Sequence, residues 1–314
     1  MPYTSSLGIR DLSVFNQGCG RCVAGYTSHN LANITNLSDG TGNKMIDAVP
    51  VPEGLPCTVQ LKVLLDKETR YQPKLSGLRI IESAQENGLR MTPRLRDFEV
   101  KDLLSLARFF GFCADTFSLA VSLLDRFLSL MKIQPKHLSC VGLCCFYIAV
   151  KSSEEEKNVP LANDLIRISQ NRFTVSDMMR MEKIIMEKLY WKVRAPTALH
   201  FLRLFHSLVL QQSDTDSKKN LNIERLEAQL KACHCSFAFS KIKPSLLALA
   251  ILALEVQEQG LWELTDAQQT LQLQSNIKGG DLVCVRELLH LKGTGNKIEV
   301  ITSERRMQLI SIKH

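Results

Sequence analysis

The chain has 314 residues, 45% hydrophobic and 23% charged, values of a globular protein long enough for one large domain or two ordinary ones. Its longest apolar runs, Val141–Val150 broken by Gly142 and Leu246–Leu254, fall well short of the roughly 18–20 residues that cross a bilayer, so no membrane association is expected. The balance of 39 basic and 32 acidic residues gives +7, spread along the chain; it reads first as solvated helix faces and second as an attraction for an acidic surface or nucleic acid.

Residues 1–56 are rich in Gly, Ser, Asn and Thr and end in Pro50, Pro52 and Pro56, the composition of a disordered tail. They lack a basic stretch followed by an apolar one, so no secretory leader is expected. Beyond them the pattern is helical almost without break. A short amphipathic helix covers Cys57–Lys67. Thr92-Pro93, a capping residue with proline at the first helical position, opens a helix that runs to Phe110 and stops at Gly111. Asp115–Met131 and Pro135–Ser152 follow, apolar almost all round and therefore expected at the centre of a bundle. Leu161–Ile168 comes next, then Thr174–Leu189 with Thr174 and Asp177 spaced as a capping box.

Ala195-Pro196 marks a break. A second helical set then covers Thr197–Leu210, Ile223–Cys235, Pro244–Glu258, Thr265–Gln274 and Asp281–Leu291, and KIEVIT near residue 300 is the one strand-like stretch. Periodicity predicts an all-α protein of two consecutive bundles of about five helices each. The expected units are a tail over 1–56, a first bundle with its preceding helix over 57–195, a second over 196–291, and a divergent tail over 292–314.

Ten cysteines are present, at 19, 22, 57, 113, 140, 144, 145, 233, 235 and 284. Five (113, 140, 144, 145 and 284) sit in apolar helical patterns, which fits a reducing compartment better than a disulfide framework. Cys233-His234-Cys235 is too tightly spaced for a zinc site, and Cys19-Gly-Arg-Cys22 stands without a second pair. No phosphate-binding glycine loop, nucleophile elbow or His-Glu-x-x-His is found, so no cofactor, metal or catalytic residue is assigned.

Several strings resemble the cyclin family, most closely the G-type cyclins of animals: LRDFEVKDLLSLARFFG, LLDRFLS, QPKHLSCVG, AVKSSEEE, DLIRISQ, RMEKI and LEAQLKACHC, over about residues 60–290. The resemblance implies two cyclin boxes. It implies that Asp125 is buried against Arg96, a structural ion pair whose rupture costs about 3–5 kcal/mol. It also turns Lys151, otherwise only a lysine at a helix C-terminus favoured by the dipole, into a kinase-binding residue. Glu182 is its matching acid on the later helix, Glu154 and Glu155 just after the lysine are further kinase-binding candidates, and Phe173 and Ile184 add apolar area.

Departures matter as well. The loop Ser152–Pro160 is longer than in the cell-cycle classes. The substrate-docking helix of the mitotic and S-phase classes reads Leu95-Arg96-Asp97-Phe98-Glu99 here, with Asp102 in place of its tryptophan, so that function is not carried over. No Arg-x-x-Leu destruction box precedes residue 60, and the C-terminus matches the family's tail only weakly.

The resemblance thus implies a non-catalytic regulatory subunit that binds a cyclin-dependent serine/threonine kinase in cell-cycle control, in nucleus and cytoplasm. The alternative is a cyclin-fold adaptor for regulatory subunits of protein phosphatase two-A in growth arrest. A DNA-gripping transcription factor would need two cysteine pairs ahead of the folds, so nucleic acid is not expected as a partner.

Overall fold

The computed structural model describes residues 56–85, 88–211 and 221–293. These form twelve α-helices joined by short turns and 3-10 segments, with no strand among the described residues. The architecture is two consecutive helical bundles. The KIEVIT stretch and all of the expected tail except Pro56 lie outside the described residues.

The first bundle is built from α3 (Pro93–Phe110), α4 (Ala114–Leu130), α5 (Leu138–Ser153), α6 (Ala162–Ile168) and α7 (Val175–Lys188). Its boundaries follow local chemistry. The Thr92 hydroxyl accepts from the Leu95 amide at 3.3 Å, Pro93 fills the first turn, and Gly111 closes α3 in the left-handed conformation at φ 69°. At α7, Thr174 and Asp177 cap each other reciprocally, with the Thr174 amide donating to Asp177 Oδ2 at 3.0 Å. Helices α4 and α5 bury nearly every side chain they carry, among them Phe117, Leu124, Phe127, Leu143 and Phe146. Each such residue contributes about 1.5–3 kcal/mol of hydrophobic stabilisation.

The second bundle comprises α8 (Ala198–Gln211), α9 (Ile223–His234), α10 (Pro244–Glu258), α11 (Thr265–Gln274) and α12 (Gly279–Gly293). Phe201, Phe205, Leu249 and Ile251 lie at its centre.

Two elements differ from the sequence reading. Helix α2 (Leu75–Glu82) is an addition, because the sequence reading assigns no element between Lys67 and Thr92. Gly77 serves a close approach: a Cβ there would stand 1.9 Å from the Ser129 carbonyl oxygen, so α2 lies directly on the end of α4. The other is α1 (Cys57–Glu68), grouped above with the first bundle. It packs on the second, where Leu61 is buried among the side chains of α8 and α10. Its last residue, Glu68, is buried and accepts from the Ser245 amide at 2.7 Å and the Ser245 hydroxyl at 2.9 Å. The carboxylate therefore caps the N-terminus of α10, which has no capping side chain of its own.

Candidate functional site

Arg96 on α3 and Asp125 on α4 meet side-on. Nε donates to Oδ1 at 2.9 Å and Nη2 to Oδ2 at 2.7 Å, with only 1% of the arginine side chain exposed. Burial opposes the charge on Arg96, but Asp125 and Asp97 outweigh it and hold the guanidinium above its ordinary pKa. The remaining nitrogen crosses to the second bundle: Nη1 donates to the His234 carbonyl at 2.6 Å. Beside it Asp97 Oδ1 accepts from the Phe237 amide at 2.7 Å. The pair is thus both an internal tie and part of the seam between bundles. Neighbouring Arg126 is buried with its guanidinium 5.1 Å from the Tyr71 ring centre, and its Nη1 finds no hydrogen-bond partner. Burial lowers its pKa to about 10.

Lys151 and Glu182 are brought together by the packing of α5 on α7. Ile185 is fully buried between them, and the Cys144 thiol donates to the Met178 carbonyl at 3.4 Å. Lys151 Nζ donates to Glu182 Oε1, forming an ion pair with side chains 37% and 24% exposed. The same ammonium lies 4.5 Å from the centre of the Tyr147 ring, one turn back on α5. Burial, then the Glu182 charge, raises the Tyr147 pKa, so the ring stays a neutral platform for the lysine.

Exposed apolar side chains occur along and just past α7. Met179, one turn before Glu182, and Ile184 face solvent, while Phe173 packs on the core of the first bundle. Past the end of α7, Tyr190 and Trp191 both take positive φ, 54° and 58°, and both are exposed. A left-handed backbone at a bulky residue costs about 1–2 kcal/mol, so two aromatic rings are held out to solvent by a strained turn.

The two glutamates after Lys151 do other work. Glu154 turns back onto the start of α4, where Oε1 accepts from the Cys113 amide at 3.2 Å and from the Thr116 hydroxyl. It supplies the cap that Cys113 lacks. Glu155 pairs at 2.6 Å with Lys157 on the open surface, where such a contact adds little. Neither joins the Lys151–Glu182 pair.

His234 Nε2 lies 3.2 Å from the Ser118 hydroxyl, and its ring meets Phe117 edge-on at 5.9 Å. Among the described residues no group of His, Cys, Asp or Glu could hold a metal ion.

Sequence reasoning missed Tyr147, although its position four residues before Lys151 places it under the lysine on any helix. It also missed the cross-bundle bonds of Arg96 and Asp97, which have no local signature.

Residues 60–194 match the cyclin N-terminal domain family. The chain is 62% identical to Cyclin-G1 of Homo sapiens over 245 residues, covering 78% of this chain and 83% of that protein. To Cyclin-G2 of Homo sapiens it is 48% identical over 237 residues, 76% and 69% of the two chains. Among solved structures, a viral cyclin from Herpesvirus saimiri superposes with a TM-score of 0.52 at 20% identity, covering 71% of this chain and 97% of that one. On fold, motifs and identity together, the chain belongs to the cyclin family, beside the G-type members.

Proposed function

We propose that this protein is a non-catalytic regulatory subunit that binds a cyclin-dependent-type serine/threonine kinase through the α5–α7 face and acts in cell-cycle control in nucleus and cytoplasm. The observation that carries the reading is the Lys151–Glu182 pair, set on Tyr147, with exposed Met179 one turn before Glu182 on the same face of α7. A charge pair fixed in register amid exposed apolar area has the composition of a protein-binding surface.

The mechanism is positional. A kinase holds the ATP phosphates correctly only when its strand lysine pairs with the glutamate of its C-helix. A rigid helical face that binds the C-helix-in state better than the out state shifts the kinase population toward activity without doing chemistry. Helices α5 and α7 supply rigidity because their inner faces are locked into the core.

The test uses charge reversal. Lys151→Glu alone sets two acids side by side, whereas Lys151→Glu with Glu182→Lys restores the internal pair and presents the opposite polarity. An interface of this kind buries about 1,200–2,000 Å², within which a mispaired charge is costly. The double variant should remain folded by circular dichroism and lose kinase in a pull-down. Kinase retained by the folded double variant overturns the assignment. Retention of a phosphatase two-A regulatory subunit with kinase lost would establish the adaptor role on a separate surface.

A further inference from the structure

Glu99 places a carboxyl group where apolar atoms would be expected. It projects from the buried face of α3, one turn past Arg96, and is only 8% exposed. Its carboxyl rests on the backbone of α5 at Gly142, where a Cβ would stand 1.9 Å from Oε1. Gly142 therefore makes the room for it, in the middle of a helix that a glycine weakens. Both residues disfavour the fold locally, and each makes sense only with the other.

No hydrogen bond reaches the Glu99 carboxyl among the described residues. The groups facing it are Asp102 on its own helix and Cys140 and Cys145 on α5, with Asp125 and Arg126 of α4 beyond Cys145. Burial, then Asp102 and Cys140, raises its pKa to about 8, which leaves it mainly protonated at neutral pH. An ionised carboxylate in the same place would be a bare charge between two helices, the arrangement that packing resists most.

The position gives the ionisation a long reach. Helix α3 carries Arg96 and Asp97, whose bonds to the His234 carbonyl and the Phe237 amide are its own share of the seam to the second bundle, beside Ser118–His234 and Asp115–Arg203 from α4. Movement of α3 away from α5 must strain those bonds. We infer that the Glu99–Gly142 contact is a proton-controlled joint: α3 lies tight on α5 with the carboxyl protonated and draws away when it ionises, loosening the seam between the bundles. This inference does not depend on which partner the protein binds.

The full chain, labelled with 13C at glutamate side chains, is titrated from pH 5 to 9 by NMR. Amide hydrogen exchange of α3 and of Phe237 is followed over the same range. The Glu99 carboxyl should titrate two or more pH units above an ordinary glutamate. Exchange at the Phe237 amide should rise more steeply than the intrinsic tenfold per pH unit through the same interval. Glu99→Gln should leave only the intrinsic slope, and its folding constant relative to wild type should climb about tenfold per pH unit between 5 and 8. Glu99→Met, equally unable to ionise, serves if the glutamine variant folds poorly. Gly142→Ala, which forces the helices apart, should give fast exchange with no extra pH step. A carboxyl titrating in the ordinary range overturns the inference. So does an exchange profile shared by wild type and the non-ionising variants, which would mark Glu99 as a buried acid without a joint.

Discussion

The first bundle buries Arg96 and Glu99 on α3 and Asp125 and Arg126 on α4, whereas the main helix of the second, α10, runs apolar from Leu246 to Leu254. The first buried polar group that α10 meets after that run is Glu255, which reaches Arg225 at 3.0 Å and Gln229 at 2.7 Å. Apolar side chains attract without direction and tolerate small rearrangements. A side-on guanidinium–carboxylate pair fixes distance and angle, and its loss leaves a charge stranded. The bundle that bears the proposed binding face thus sets a buried side-on ion pair inside its apolar core, whereas the ion pairs of the other, Arg203–Glu227 and Arg225–Glu255, involve half-exposed arginines.

The sharpest way to break this contrast is Asp125→Ala, which strands Arg96 and should cost about 3–5 kcal/mol in urea denaturation. An unchanged midpoint would show that the pair is no fold determinant. In the second bundle, Leu249→Ala should cost about 3 kcal/mol through an empty cavity. It leaves the Asp97–Phe237 bond in place, so exchange at the Phe237 amide should rise less than in Asp125→Ala.

Stability against pH separates the bundles next. Burial, with the Arg96 charge, holds the His234 imidazole down to about 3, below its ordinary 6.5. Under pH 6.5 the unfolded chain binds a proton that the fold refuses, so stability falls as the pH drops from 6.5 toward 3. Glu99 acts in the other sense: the fold keeps a proton that the unfolded chain releases above its ordinary 4.5, so stability falls as the pH rises from 4.5 to about 8. The slopes offset between 4.5 and 6.5. Of these two groups only Glu99 acts above that, at about 1.4 kcal/mol per pH unit. Between pH 6.5 and 8 wild type should lose about 2 kcal/mol more than Glu99→Gln; equal losses would remove Glu99 as the cause.

A smaller effect is expected at Thr174→Ala, about 1 kcal/mol from the lost capping box, read as a fall in melting temperature. Smallest is Arg167→Ala: the arginine and its partner Asp164 at 3.0 Å both face solvent, so the change should stay within about 1 kcal/mol.

The fold was largely legible because its signals are local. Thr92-Pro93, Gly111 and the Thr174/Asp177 box mark helix ends wherever the chain goes, and α4, α5 and α10 announce burial by being apolar on every side. Helix α2 stayed hidden because what Gly77 does there shows only when the Ser129 backbone is seen against it. Lys151, Glu182, Arg96 and Asp125 stood out through family motifs rather than through spacing. What their neighbours do was not legible: Glu154 caps a helix that begins some forty residues earlier, and Glu99 looks like an ordinary surface acid until Gly142 lies over it.

Glu68 carries a consequence for the order of events at the ribosome. Helix α1 emerges before every other described helix, yet Ser245, which its last carboxylate caps, lies 177 residues downstream. At about 5–20 residues per second, translation leaves α1 waiting some 10–35 s for the bundle that houses Leu61. The first bundle can close in that interval. The second cannot be completed until α1, the first of the described helices, swings back onto α8 and α10, so its core joins the first described helix to some of the last.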